Sequence, residues 1–130
     1  MAITLQTSAR NAACNGVVDL VDGGTGAGTL EIKSAPSTTA GVSELAIITF
    51  ADPAFGNAAT GVASLASAMT DETNANAGTA SDFTVFDSAG TAIFQGAVAT
   101  SGSDLNLSST SIGAGDTVSI SAFTVTMPAS

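Results

Sequence analysis

Apolar residues recur at three- and four-residue steps near the start of the chain. Leu5, Ala9, Ala12, Ala13, Gly16, Val17 and Leu20 fall on one face of a helix expected over residues 5–21. Thr4 or Thr7 is placed to cap its start. Asp22-Gly23-Gly24 is placed to stop it, because glycine takes the left-handed conformation past a helix end without a side-chain clash. The face is built of small residues, so the helix should lie close to a flat partner, either its own sheet or a neighbouring subunit.

From Thr29 the period changes to two. Leu30 and Ile32 alternate with Thr29, Glu31 and Lys33, which predicts a half-buried strand. Residues 34–43, with Pro36, read as a polar linker. Residues 44–50 are the most strand-like run; Ile47-Ile48 predicts burial on both faces, and Asp52-Pro53 ends it. Residues 61–69 read as a weak strand or an Ala-rich helix, the helix weakened by Gly61, Ser64 and Ser67. Residues 70–80 read as an exposed loop. Phe83 to Phe86 is a strand, and Asp87-Ser88-Ala89-Gly90 a hairpin turn, with aspartate opening it and glycine closing it. Residues 91–100 return, with Gly96 predicting a bulge. Ser101-Gly102-Ser103-Asp104 is a turn and Leu105-Asn106-Leu107 a short strand. A Ser/Thr segment and the turn Gly113-Ala114-Gly115-Asp116 follow. The last strand is expected over residues 117–127. Val118 and Ile120 share one parity, while Phe123, Val125 and Met127 share the other. Side chains alternate strictly along a strand, so this predicts a bulge near Ser121-Ala122 or a bend between two sheets.

Short strands about ten residues apart, separated by turn signals, predict an antiparallel β-sandwich or partly open barrel with one N-terminal α-helix. Residues 1–130 then form a single domain, with residues 1–22 as arm and helix and residues 29–127 as the sandwich.

Composition thins the core. Ala, Gly, Ser and Thr account for 73 of 130 residues, whereas Leu, Ile, Val and Phe total 29. Burying a large aliphatic side chain is worth roughly 1.5–3 kcal/mol and ordering a residue's backbone costs roughly 1–2 kcal/mol, so little surplus is expected. Burial against other copies or another protein is expected to supply part of the stability. Eleven acidic residues against two basic ones, Arg10 and Lys33, give a net charge of −9. Two cations cannot neutralise a phosphate backbone, so neither nucleic acid nor an anionic membrane is an expected partner. The longest strongly apolar stretch, Leu45 to Ile48, is far below the roughly 20 residues of a membrane span. Residues 1–20 lack the basic start and continuous apolar core of a secretory signal, so folding in a cytoplasm is expected.

The chain has no histidine, which excludes a Ser-His-Asp triad, a Cys-His pair and an imidazole ligand. Cys14 is the sole cysteine; it cannot close an intramolecular disulfide and reads as a small buried hydrophobe. The glycine run 23–28 does not read as a phosphate loop, because a helix precedes it and an extended stretch follows, and there is no P-loop lysine. Asp71-Glu72 and Asp87 read as solvated turn acids rather than an acid–base pair. Asp19, Asp22, Asp52, Asp82, Asp104 and Asp116 are dispersed and match no calcium loop. The Thr124-Val125-Thr126 step is single, whereas an ice-binding face needs a repeated array. Tryptophan and tyrosine, the usual sugar-stacking residues, are absent. No catalytic, cofactor-binding or metal residue is assigned, and no cofactor is expected.

Between residues 83 and 128 the chain reads Phe-x-Val-x-Asp-Ser-Ala-Gly, then Gly96-x-Val98-x-Thr100-Ser101-Gly102-x-Asp104-Leu105-x-Leu107. Thr110-Ser111-Ile112, Val118-x-Ile120 and Phe123-Thr124-Val125-Thr126 follow. With an Ala-rich helix leading into Leu30-x-Ile32, this pattern resembles small virion proteins of tailed bacteriophages. The resemblance implies a structural component of the particle, assembled in a host cytoplasm, and carries no catalytic motif. Charge narrows the expectation, because an acidic protein facing packaged DNA is repelled and one on the outer head is not. The expected role is a capsid decoration or cement protein, with the major capsid protein and neighbouring copies of itself as partners. Residues 1–8 or an exposed strand edge would add to a partner's sheet. A tail component (tube, baseplate or fibre-associated) and a receptor- or carbohydrate-binding module are the alternatives.

Overall fold

The computed structural model describes residues 3–67, 69, 75–120 and 123–128. Helix α1 (Thr7–Asp19) runs into a 3-10 turn over Leu20–Asp22. Among the described residues nine strands follow: β1 (Thr29–Lys33), β2 (Glu44–Thr49), β3 (Val62–Ser64), β4 (Gly78–Thr79), β5 (Asp82–Phe86), β6 (Ala92–Ala99), β7 (Leu105–Asn106), β8 (Ser111–Ile112) and β9 (Thr124–Thr126). The chain is mainly β, with one N-terminal helix and a curled half-barrel sheet. That sheet has the order β2-β1-β5-β6-β7, and β3-β9 and β4-β8 form two small pairs beside it.

The inner face of the large sheet carries Leu30, Ile32, Ala46, Ile48, Phe83 and Val85, all buried. They sit side by side because Leu30 is opposite both Ile48 and Val85, and Ile32 opposite Ala46 and Phe83. Cys14, Val18 and Val21 of the helical segment join this core, with Phe50, Phe55 and Phe123.

The helix turns a different face inward from the one expected. Leu20 is 56% exposed, while Cys14, Val18 and Val21 are buried. The reason is polar. Asn11 Oδ1 accepts from the Gly61 N–H at 2.8 Å, Asn15 Oδ1 from the Ala58 N–H at 2.8 Å, and Asp22 Oδ1 from the Ala54 N–H at 2.8 Å. Arg10 donates to the carbonyls of Met127 and Thr60 at 3.0 and 3.1 Å. The Cys14 thiol donates to the Val125 carbonyl at 3.3 Å. Side chains that satisfy loop and strand backbone thus choose the face, since the alanines offer little area to choose by. Gly61 allows this approach: its φ is +78°, and a Cβ there would lie 2.6 Å from an Arg10 nitrogen. Neither Thr4 nor Thr7 caps the helix; the cap position is Gln6, without a side-chain bond.

The hairpin after β5 forms as expected. Gly90 has φ +86°, and Asp87 Oδ1 accepts from the Ala89 and Thr91 N–H groups. The bulge in β6 falls not at Gly96 but near Ile93, where the register shifts between Val85 and Phe86. Gly96 is there for another reason: a Cβ would lie 2.7 Å from the Phe83 ring and 2.9 Å from Asp104 Oδ2.

Residues 61–69 contain β3 and no helix among those described. The described end of the expected loop, residues 75–80, instead contains β4, with Ala75 and Ala80 buried. Asn76 draws it in by bonding the Leu45 and Glu44 carbonyls. The Ser/Thr segment likewise contains β8. β7 runs parallel to β6, contrary to the antiparallel expectation for this pair. The loop at residues 100–104 carries the chain round, held by Asp104 on the Ala97 N–H and Asn106 on the Ser103 N–H. Of the strand expected over residues 117–127, the described residues form β9; Val118, Ile120 and Phe123 are nevertheless all buried. Ser121 and Ala122, where a bulge or bend was expected, lie outside the described residues.

Replacing Asn11 or Asn15 by alanine should leave a part-buried backbone N–H without its acceptor. Each change is expected to cost about 1–2 kcal/mol, read as a lower urea midpoint with an unchanged slope.

Candidate functional site: a buried ion pair and an aromatic cleft

The alternation in β1 predicts one polar, wet face. The structure covers that face. Glu31 is 4% exposed and Lys33 0%, because residues 34–43 fold over them rather than leaving the sheet as a linker. The ammonium has three donors and three acceptors: Glu31 Oε1 at 3.0 Å, the Thr39 carbonyl at 3.0 Å and the Val42 carbonyl at 2.7 Å. Glu31 Oε1 also accepts from the Gly41 N–H at 2.9 Å. Thr84, buried on the adjacent strand, donates its hydroxyl to the Ser37 carbonyl at 2.7 Å. The Phe86 ring lies under the same cover, 5.6 Å from Lys33 Nζ, within cation–π reach. Ile47, expected to be buried, is 38% exposed at the edge of this face. Among the described residues, no buried side-chain nitrogen or oxygen lacks a partner.

The candidate acids are dispersed in space as well as in sequence. Asp22 and Asp104 serve backbone N–H groups, Asp87 closes its hairpin, and Asp116 accepts from Gly113 at 2.7 Å. Asp82 accepts from the Ser81 hydroxyl. Asp19 and Asp52 are exposed. Asp71 and Glu72 lie outside the described residues. Among the described residues, no three of His, Cys, Asp and Glu are grouped to hold a metal ion. Cys14 is a free, buried thiol. No helix is long and apolar enough to cross a membrane among the described residues.

A cleft of about 380 Å³ opens between β6 and β9. Phe83, Phe94 and Phe123 form its floor, Gln95 one wall, Thr124 to Thr126 the other, and Ser103 and Asp104 one end. The floor is a ring cluster: Phe83 meets Phe94 and Phe123 edge-on, and Phe94 stacks on Phe123 at 6.3 Å. No family model matches this chain, and neither does any curated protein or solved structure. Chemically the cleft offers aromatic faces, hydroxyls and main-chain edges with a single carboxylate at the end.

Sequence reasoning treated the phenylalanines one by one as core and missed their cluster. Its one accessible signal was the parity change that puts Phe123 opposite in phase to Ile120. It also missed the covered face, although Glu31 and Lys33, two residues apart on a strand, share one side.

Lys33→Ala should be strongly destabilising, by about 3–5 kcal/mol, since it strands Glu31 and two carbonyls. The joint change Glu31→Gln, Lys33→Met should cost far less. Proteinase K cleavage within residues 34–43 should accelerate in the single variant before global unfolding.

Proposed function

We propose that this chain is a bacteriophage virion structural protein that decorates the outer head surface and stabilises the shell. The observation that carries the reading is where the two cations sit. Lys33 is sealed inside the fold, and Arg10 is committed to two backbone carbonyls. Apart from the half-exposed Arg10 and a few scattered apolar side chains, the described exterior is therefore left to carboxylates and to neutral Ala, Ser, Thr and Asn side chains. Such a surface has no means of neutralising phosphate and is repelled by packaged DNA, so the outside of a shell is the electrostatically favourable place. Broad neutral patches allow close contact with a repeating lattice, and area buried across capsid seams resists internal pressure. The resemblance of the residue 83–128 pattern to small virion proteins points the same way.

A tail component remains the second reading, favoured by the open strand edges, which also suit ring formation.

Purified protein added to heads of the encoding phage assembled without it should bind in hundreds of copies per head. It should also raise the temperature at which the heads rupture. No binding, or binding of only a few copies at one vertex, overturns the decoration role. Closed rings of the protein alone would replace it with the tail reading.

A further inference from the structure

Two strand edges face the cleft with unspent hydrogen bonds. Met127 N–H donates to the Gly61 carbonyl, which makes that pair, and by alternation Val125 with Ala63, the hydrogen-bonded ones. Thr124 and Thr126 therefore aim their main-chain groups away from β3. On the other wall, Val98 N–H donates to the Ser81 carbonyl, so Gly96 and Phe94 face β5 while Gln95 and Ala97 face outward. The Ala97 N–H is taken by Asp104. No main-chain partner is found for Gln95, Thr124 or Thr126 on the cleft side among the described residues.

The chain also has a segment with matching needs. Ile3 is 82% exposed, so it does not lie in its own molecule's cleft. The backbone is extended at Gln6, and Ile3 and Leu5 alternate with Thr4 and Gln6 as in a half-buried strand. Residues 3–6 carry no carboxylate. Their insertion beside Asp104 meets no like charge, in a molecule whose net charge is −9. Their root is beside the wall they would join, because Arg10 bonds Met127, the residue after β9.

We propose that residues 3–6 of one copy enter the β6–β9 cleft of a second copy as an added strand, extending its half-barrel. Ile3 and Leu5 would rest on Phe94 and Phe123, while the main chain pairs with Gln95 on one side and Thr124 and Thr126 on the other. Four extended residues reach at most about 14 Å, so the two β9 ends must lie near each other. Reciprocal exchange about a two-fold axis meets that condition, since each root sits at its own cleft wall.

Sedimentation of the isolated full chain at about 50 µM tests this without any shell present, so its outcome is separate from that of shell binding. The full chain should self-associate. Removing residues 1–6 should weaken association by at least about 100-fold while leaving the circular dichroism spectrum unchanged. A peptide of residues 1–8 should then bind the shortened chain. Thr124→Trp, which fills the cleft from an exposed position and keeps the arm, should also give monomers and abolish peptide binding. A monomeric full chain overturns the proposal. So does association that survives both the deletion and Thr124→Trp, or a peptide that fails to bind a folded shortened chain.

Discussion

The ammonium of Lys33 has no path to water, and the outer face of the sheet is arranged around that constraint. A buried, unpaired charge costs several kcal/mol, so its three donors require three acceptors. One comes from Glu31 on the same strand; the other two are the Thr39 and Val42 carbonyls. Residues 34–43 must therefore fold back over β1. Once they do, Thr84 and Phe86 are covered too, and β1, an interior strand of the sheet, becomes buried on both faces. A charge thus organises a layer that apolar residues alone are too few to organise.

The same substitution of polar clamps for apolar area operates on the helix. Burying Val18 and Val21 contributes roughly 3–6 kcal/mol in all. Five hydrogen bonds from Arg10, Asn11, Asn15 and Asp22, at about 1 kcal/mol each, are of the same size. These bonds are directional, so they fix rotation about the helix axis, which a face of alanines leaves loosely specified. That is why the alanine stripe did not predict the buried side.

Legibility in the sequence followed the strength of the local signal. Asp87-Ser88-Ala89-Gly90 announces its hairpin because an aspartate and a positive-φ glycine are local requirements. The strands at Thr29–Lys33, Glu44–Thr49 and Asp82–Phe86 announce themselves by β-branched residues and alternation. What stayed hidden depends on distant partners. The cover over Lys33 needs carbonyls six and nine residues away. The parallel β6–β7 pair needs Asp104 to reach back to Ala97. The cleft needs Phe94 and Phe123 to meet across separate sheets. Gly96 was legible as special but not for its cause, because nothing nearby in sequence shows Phe83 and Asp104 converging on it.

Sealing Lys33 inside the fold and tying the half-buried Arg10 to two carbonyls has an outward consequence. Copies with acidic exteriors repel one another at the range of the Debye length, roughly 8 Å at physiological ionic strength, and attract only at contact. Open strand edges on such a body are protected from indiscriminate pairing, since an approaching chain must first cross that repulsion. Asp104 sharpens the protection. Its carboxylate occupies the Ala97 N–H, and β7 takes the edge beyond it, so pairing on β6 is confined to the stretch before Ala97. The edge opposite is only three residues long. A segment that is short, extended and free of carboxylates satisfies both limits, whereas a long one fails the first and an acidic one the second. Length and charge are thus the two limits the cleft sets on the segment proposed for it.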